Sequence, residues 1–156
     1  MHIPVLLREV VDSLAVRQGG VYVDGTLGRA GHAREILLRG GAGTTLVGID
    51  RDEQALREIG NVAGLKAVKG RHGDIEEIAH ENGWNKVDGV LLDLGVSSPQ
   101  LDEAGRGFSF LREGPLDMRM DRSCGLTAAD IVNFESAERL EEIFRDNGEE
   151  PNARRI

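Results

Sequence analysis

The stretch Val21-Tyr-Val-Asp-Gly-Thr-Leu-Gly-Arg-Ala-Gly-His32 decides the fold class of this chain. Its first three residues are apolar and predict a short buried strand, which ends on the acid Asp24. Glycines follow at positions 25, 28 and 31, and the apolar residues from Ala33 to Leu37 then recur at helical spacing. A strand, a glycine-rich turn and a helix in immediate succession indicate a strand–helix–strand unit, and such units build parallel sheets.

The same alternation continues through the first hundred or so residues. The pattern predicts an opening helix from Leu7 to Leu14, later helices near Ala55 to Ile59 and Ile75 to Glu81, and further strands at Thr44 to Ile49, Lys66 to Val68 and Val87 to Leu92. We therefore expect a Rossmann-like α/β fold, an open parallel sheet with crossover helices. Such a sheet of four strands has one unfinished edge, so we expect an incomplete sheet and a chain that is part of a longer protein.

The pattern changes after Gln100. The residues that follow are rich in Gly, Arg and Asp and show no clear period. Two helical patterns come next, one that begins with a capping box at Thr127 and one that Ser136 would cap. We predict a division near this point, with residues 1–105 forming the N-terminal part of the α/β domain and residues 106–156 beginning a mostly helical domain.

Composition is that of an ordinary globular protein. Of the 156 residues, 40% are hydrophobic and 29% are charged, which argues against disorder, and the net charge of −8 gives no bulk electrostatic case for nucleic-acid binding.

Four arginines nevertheless fall in one short segment and form either a solvated loop face or a local RNA-facing patch: Arg106, Arg112, Arg119 and Arg122. The single cysteine, Cys124, excludes an internal disulfide. The sequence has no signal peptide and no apolar run of membrane length, so we expect a cytoplasmic location and no membrane partner.

Asp50 is the first candidate ligand-binding side chain. It follows the second predicted strand, about twenty residues beyond the glycine turn, where an acid can hydrogen-bond the two hydroxyls of a ribose. The residues leave alternatives open, because the turn lacks the tight glycine spacing of dinucleotide folds and Asp50 could instead cap the next helix. We favour a nucleoside-containing cofactor, and a nicotinamide-dependent dehydrogenase would share both features.

The segment Val90-Leu-Leu-Asp-Leu-Gly-Val-Ser-Ser-Pro-Gln100 adds a second candidate. It begins as a buried strand, has Asp93 where the apolar run stops, and continues through small polar residues. A loop of this kind at the strand ends indicates a ligand site, although a simple turn is the alternative. Asp93 would suit methylation of an aromatic amine, because a hydrogen bond accepted from such a poor nucleophile orients the nitrogen and disperses charge in the transition state.

Several blocks of the sequence resemble, in order, those of the 16S ribosomal RNA cytosine-N4 methyltransferase family, called MraW or RsmH. They are His2-Ile-Pro-Val-Leu-Leu7, Tyr22 to His32, Gly48-Ile-Asp-Arg-Asp52, Val87 to Asp102, Arg106-Gly-Phe-Ser-Phe110 and Gly114 to Asp121. The resemblance implies the fold of an S-adenosylmethionine-dependent methyltransferase. It also implies that the enzyme methylates the N4 amine of a cytidine in 16S rRNA of the small ribosomal subunit; a homodimer is possible.

The resemblance further implies which residues form the site. The implied cofactor contacts are Ala30, Gly31, His32, Asp50, His72, Asp93 and Gln100. Asp93 is also the implied catalytic residue, and no metal is implied. His72 aligns with a position where the family usually has Phe or Tyr against the adenine, and an imidazole offers less apolar area for that stacking.

Length is the main departure from the family pattern. Family members are longer and carry a helical domain inserted after the fourth strand, and this chain stops within that insertion. We therefore expect the chain alone to bind the cofactor weakly and to methylate RNA poorly or not at all. The alternative is a catalytically inactive module that binds RNA or another subunit and retains part of the cofactor site.

Overall fold

A computed structural model describes residues 4–123 and 125–156 of the chain. Cys124 and the start of the first family-like block, His2 and Ile3, therefore lie outside the described residues. The chain forms two compact units, one that ends at Ser97 and one that begins at Ser98. The domain division near residue 105 stays a prediction.

Helices and strands alternate through the first unit. Its elements are α1 (Leu7–Ser13), β1 (Val21–Asp24), α2 (Gly31–Gly40), β2 (Thr45–Asp50), α3 (Glu53–Glu58), β3 (Leu65–Lys69), α4 (Ile75–Glu81) and β4 (Gly89–Leu91). The strands form one sheet in the order β3-β2-β1-β4, and every neighbouring pair is parallel. The predicted Rossmann-like α/β fold is thus confirmed.

Alternate residues of the inner strands pack on opposite faces of the sheet. Tyr22 of β1 and Leu46 of β2 are buried in a cluster with apolar residues of α1 and α2. Val23 and Val47, one position further along, are buried in a second cluster with Ile78 of α4. Because both faces are covered, the central residues of these strands are apolar, as is typical of parallel sheets.

Strand β4 is shorter than predicted. The sequence pattern extends from Val87 to Leu92, whereas hydrogen-bonded pairing with β1 covers Gly89–Leu91. Within the described residues β4 pairs with β1 alone, and the side chains of Val90 and Leu92 are each 44% exposed. The apolar residues that flank Gly89–Leu91 made the predicted strand longer than the paired segment. They do not pair with a neighbouring strand in the described residues.

The second unit contains three α-helices in its described residues. They are α5 (Ser98–Asp102), α6 (Ala128–Phe134) and α7 (Ala137–Asp146). The predicted capping box is present, since the Thr127 hydroxyl accepts from Asp130 N at 3.1 Å and the Asp130 carboxylate accepts from Thr127 N at 2.9 Å. Ser136 caps α7 as predicted, whereas α5 was not predicted. No helix in residues 4–123 and 125–156 is long and apolar enough to cross a bilayer.

The loop between α5 and α6 is organised around the carboxylate of Asp117. This buried side chain accepts from Arg119 N at 3.0 Å, Nε at 2.8 Å and Nη2 at 2.9 Å, and Arg122 Nε lies 3.7 Å away. The hydrogen bonds from Arg119 are the main reason that the pKa of Asp117 lies well below its usual range. The buried guanidinium of Arg106 donates to the carbonyl oxygens of Arg119 and Met120. Part of the arginine cluster is therefore used to build the loop itself.

Replacing Asp117 by Asn should destabilise the protein by about 1–3 kcal/mol near pH 7, because the partly buried Arg119 loses its bidentate anionic partner. A carboxyl group with a lowered folded-state pKa stabilises the fold above its ordinary pKa, and this contribution is lost as the pH falls. The difference between the two proteins in urea unfolding should therefore shrink below about pH 4.

Asp146→Asn is a matched control. Asp146 accepts from Arg145 Nε at 2.9 Å in an ion pair whose two side chains are more than half exposed. Such exposed pairs contribute little, so this change should leave the urea midpoint nearly unchanged. Equal losses of stability in both variants would contradict the role assigned to Asp117.

Candidate functional site

The carboxyl ends of the four parallel strands meet at one edge of the first unit. In the register of the sheet, Asp24 at the end of β1 lies opposite Gly48 of β2 and Leu91 of β4. Asp50 lies two residues after Gly48, and Asp93 lies two residues after Leu91. The fold therefore brings the acids that end β1, β2 and the β4 segment to the same edge, as the strand order predicts.

The glycine turn after β1 is hydrogen-bonded to both neighbouring strands. Gly25 N donates to the carbonyl oxygen of Leu91 at 2.9 Å, and Leu27 N donates to that of Ile49 at 2.9 Å. Gly28 adopts a left-handed backbone (φ 51°), which glycine accepts without steric strain. The backbone of the turn is therefore hydrogen-bonded to β4 on one side and to β2 on the other.

Asp50 holds the far end of this turn. Its carboxylate accepts from Gly28 N at 2.7 Å through Oδ2 and from Asp52 N at 2.8 Å through Oδ1. The helix cap considered for Asp50 is instead provided by Asp52, which accepts from Gln54 N at 3.0 Å. Each carboxylate oxygen has a second lone pair, so Asp50 can still accept hydrogen bonds from a ligand.

The three residues Ala30, Gly31 and His32 lie where α2 begins, against the N-terminal segment. Ala30 has a left-handed backbone (φ 61°) and is fully buried. A Cβ on Gly31 would come within 2.3 Å of Pro4 Cγ, so only glycine allows this close approach. The buried His32 places Nε2 3.0 Å from the carbonyl oxygen of Val5, which requires the proton on that nitrogen. The backbone here is thus fixed by contacts with residues 4 and 5.

His72 begins a short 3₁₀ turn (His72–Asp74) after β3, and its side chain is exposed. A Cβ on Gly25 would lie 3.2 Å from His72 Cβ and 2.6 Å from Leu92 Cδ2. The absence of a side chain at Gly25 therefore lets the loops after β3 and β4 approach the glycine turn closely.

Asp93 is exposed and is anchored through its backbone. Its N–H group donates to Thr26 Oγ1 at 2.7 Å, which joins the loop after β4 to the glycine turn. Gln100 belongs to the second unit, where it lies on α5 with its side chain buried. Six of the seven predicted site residues thus lie in the first unit, and their roles toward a ligand stay predictions.

Asp24 is a further candidate site residue, which the sequence pattern shows only as the acid that ends a strand. Its side chain is 1% exposed and accepts from Thr26 N at 3.0 Å and from Thr26 Oγ1 at 3.3 Å. Burial raises the pKa of Asp24 from 3.8 to about 6, against the lowering effects of the Thr26 hydrogen bonds and the His32 charge. The sequence contains the signal, an acid between a buried strand and a glycine turn, but not the degree of burial.

The sequence pattern of the MraW methylase family matches residues 1–156. The chain belongs to this family. The resemblance stated from the sequence blocks is therefore confirmed over the whole chain.

Curated relatives within the MraW family agree in name. The protein called ribosomal RNA small subunit methyltransferase H from Shewanella amazonensis is 52% identical over 159 aligned residues, which cover 99% of this chain and 51% of the relative. Its namesake from Trichlorobacter lovleyi is 50% identical, with the same coverage of both chains. This MraW-family chain thus spans about half the length of the curated relatives it matches.

Among solved structures, a SAM-dependent methyltransferase from Aquifex aeolicus aligns with a TM-score of 0.38 and 12% identity. The alignment covers 42% of this chain and 38% of the other. This overlap is partial, and the assignment to the MraW family rests on the sequence match.

Asp24→Asn should stabilise this MraW-family chain at pH 8, by as much as roughly 2–3 kcal/mol, because it removes a buried charge. The folded-state pKa of about 6 lies above the ordinary 3.8, so the folded protein binds the Asp24 proton more tightly. Stability due to Asp24 should therefore fall as the pH rises from about 4 to about 6 and stay low above that. Urea unfolding at pH 4 and pH 8 measures the difference between the two proteins.

Asp88→Asn is a control with the opposite sign. Asp88 accepts from Val21 N at 2.8 Å and from Arg17, and these hydrogen bonds lower its pKa. Its loss should decrease stability at pH 8. A gain in both variants, or no gain with Asp24→Asn, would contradict the cost assigned to burying Asp24.

Proposed function

We propose that this chain forms the cofactor-binding part of an S-adenosylmethionine-dependent enzyme that methylates RNA of the small ribosomal subunit. The observation that carries the proposal is the family match over residues 1–156, together with relatives about half identical that are named ribosomal RNA small subunit methyltransferase H. The gathering of three acids and a glycine turn at the carboxyl edge of a parallel sheet supports it, because ligands bind at this edge in open α/β folds.

The residues present suit S-adenosylmethionine. A Cβ on Gly28 would meet no atom closer than 4.0 Å, so the backbone of the turn is open to a ligand on that side. The carboxylate of Asp50 would accept hydrogen bonds from the ribose hydroxyls with its remaining lone pairs. His72 would lie against the adenine, and Ala30, Gly31 and His32 would add contacts from the start of α2. For Gln100, which belongs to the second unit, the cofactor contact is proposed from the family resemblance alone.

Asp93 would act on the amine that receives the methyl group. When bound, the cofactor supplies a methyl group on a positively charged sulfur. The amine of cytosine is a poor nucleophile, because its lone pair is delocalised into the ring. The exposed carboxylate of Asp93 would accept a hydrogen bond from this amine, orient the nitrogen and stabilise positive charge that develops on it.

The proposed target is the N4 amine of a cytidine in 16S rRNA within the small subunit, and the proposed location is the cytoplasm. Within the arginine cluster of the second unit, Arg106 and Arg119 are used in the loop itself. The exposed Arg112 and Arg122 are the cluster's candidates for contacts with the RNA backbone, although Arg112 also donates to the carbonyl oxygen of Asp102 and Arg122 lies 3.7 Å from Asp117.

Isothermal titration tests the cofactor assignment. S-adenosylmethionine should bind with one site per chain, and NAD should not bind. Asp50→Asn should weaken cofactor binding about tenfold, because the amide nitrogen that replaces one carboxylate oxygen can accept a hydrogen bond neither from a ribose hydroxyl nor from the backbone N–H that this oxygen serves. Glu81→Gln, at the end of α4 that lies away from the strand carboxyl ends, should leave affinity unchanged. Binding of NAD in place of S-adenosylmethionine would support a dehydrogenase and contradict the proposal.

Methyl transfer from labelled S-adenosylmethionine to unmethylated small subunits tests the activity. The chain alone is expected to transfer little label, so the position of that label is the readout. Label at N4 of one cytidine supports the enzyme, and Asp93→Asn should reduce this label far more than it reduces cofactor binding. Cofactor binding with no label at N4 of any cytidine would support the alternative, a module that retains the cofactor site without catalysis.

A further inference from the structure

The hydroxyl group of Thr26 lies between two of the acids at the strand ends. Its oxygen accepts a hydrogen bond from Asp93 N at 2.7 Å and lies 3.3 Å from Asp24 Oδ1. Thr26 N donates to the same carboxylate oxygen at 3.0 Å. A hydroxyl group has one proton and two lone pairs, so it can donate to Asp24 and accept from Asp93 at the same time.

The two hydrogen bonds have a fixed direction. A backbone N–H can only donate, so the Thr26 oxygen is the acceptor in its contact with Asp93. The hydroxyl proton is then free to be donated to the carboxylate of Asp24. Because Asp24 is almost completely buried, it is a rigid point of attachment for this short chain of hydrogen bonds.

The loop that carries Asp93 leaves the sheet just before that residue. The ladder between β1 and β4 ends with the hydrogen bond from Gly25 N to the carbonyl oxygen of Leu91. Beyond it, Leu92 is 44% exposed and Leu94 is 67% exposed. The bond to Thr26 therefore extends the link between the two loops by two residues, to the position of the predicted catalytic acid.

We propose that Thr26 is a positioning residue, whose hydroxyl group couples buried Asp24 to the backbone of Asp93 and thereby sets where the Asp93 carboxylate meets the bound cofactor and the target amine. This inference rests on the proposed function of the site. The residue acts through Asp93, and it transfers no proton to the reacting groups.

Hydrogen exchange tests the link directly. Thr26→Val keeps the shape of the side chain and removes the hydroxyl, whereas Thr26→Ser keeps the hydroxyl. Exchange of the Asp93 amide, followed by NMR, should become about threefold to tenfold faster in the valine variant and stay within about twofold in the serine variant. Unchanged Asp93 exchange in Thr26→Val would overturn the inference, whatever the binding results.

Cofactor affinity tests the consequence. Thr26→Val should weaken S-adenosylmethionine by about threefold to tenfold in titration, and Thr26→Ser should restore affinity to within about twofold. In an Asp93→Ala background, which keeps the backbone N–H but lacks the carboxylate, Thr26→Val should cost less than about twofold.

The double-substitution cycle separates positioning from a general structural role. A Thr26→Val loss of equal size with and without the Asp93 carboxylate would show that the hydroxyl supports the turn alone, and it would overturn the inference. Absence of S-adenosylmethionine binding by the unsubstituted chain would instead contradict the proposed function, which the Asp93 exchange rates do not measure.

Discussion

The hydrogen bond from Gly28 N to the carboxylate of Asp50 is the constraint on which the strand-end site depends. It joins the glycine turn after β1 to the end of β2 at 2.7 Å. On the other side of the turn, Gly25 N is bonded to Leu91 of β4. With both sides held, the start of α2 and the loop after β4 are placed relative to the same piece of backbone. The left-handed conformation of Gly28 makes this span possible.

The sequence predicted this edge of the sheet well, for a physical reason. Strands β1 and β2 are buried on both faces, so their apolar runs end abruptly where the chain leaves the sheet, at Asp24 and Asp50. The bounds of strand β4 were predicted less well. Apolar residues also occur at an exposed sheet edge, and there they do not indicate where strand pairing begins or ends. Helix α5 was not predicted because it is too short to show a helical period in the sequence, although Pro99 suits the first turn of a helix.

Hydrogen-bond partners set by tertiary packing could not be predicted. Asp50 and Asp52 both precede α3, and local propensity suits either as its cap. The choice follows from Gly28, which is distant in sequence and uses the Asp50 carboxylate. His32 shows the same limit, since its ring bonds to the carbonyl oxygen of Val5. Its position at the turn was predictable, but the direction of its side chain depends on how the N-terminal segment packs.

Asp24 and Asp50 show how neighbouring strand ends can give similar acids different properties. Asp50 remains partly exposed and keeps lone pairs available at the edge of the sheet. Asp24, one strand away, is buried, and its ionised form costs free energy that a neutral side chain would not. A stabilising role therefore does not account for a carboxylate at this position. The hydrogen bonds that Asp24 accepts from the backbone and the hydroxyl of Thr26 account for a carboxylate here. An ionised acceptor orients the Thr26 hydroxyl more strongly than a neutral group would, and it leaves the hydroxyl oxygen directed at the loop of Asp93.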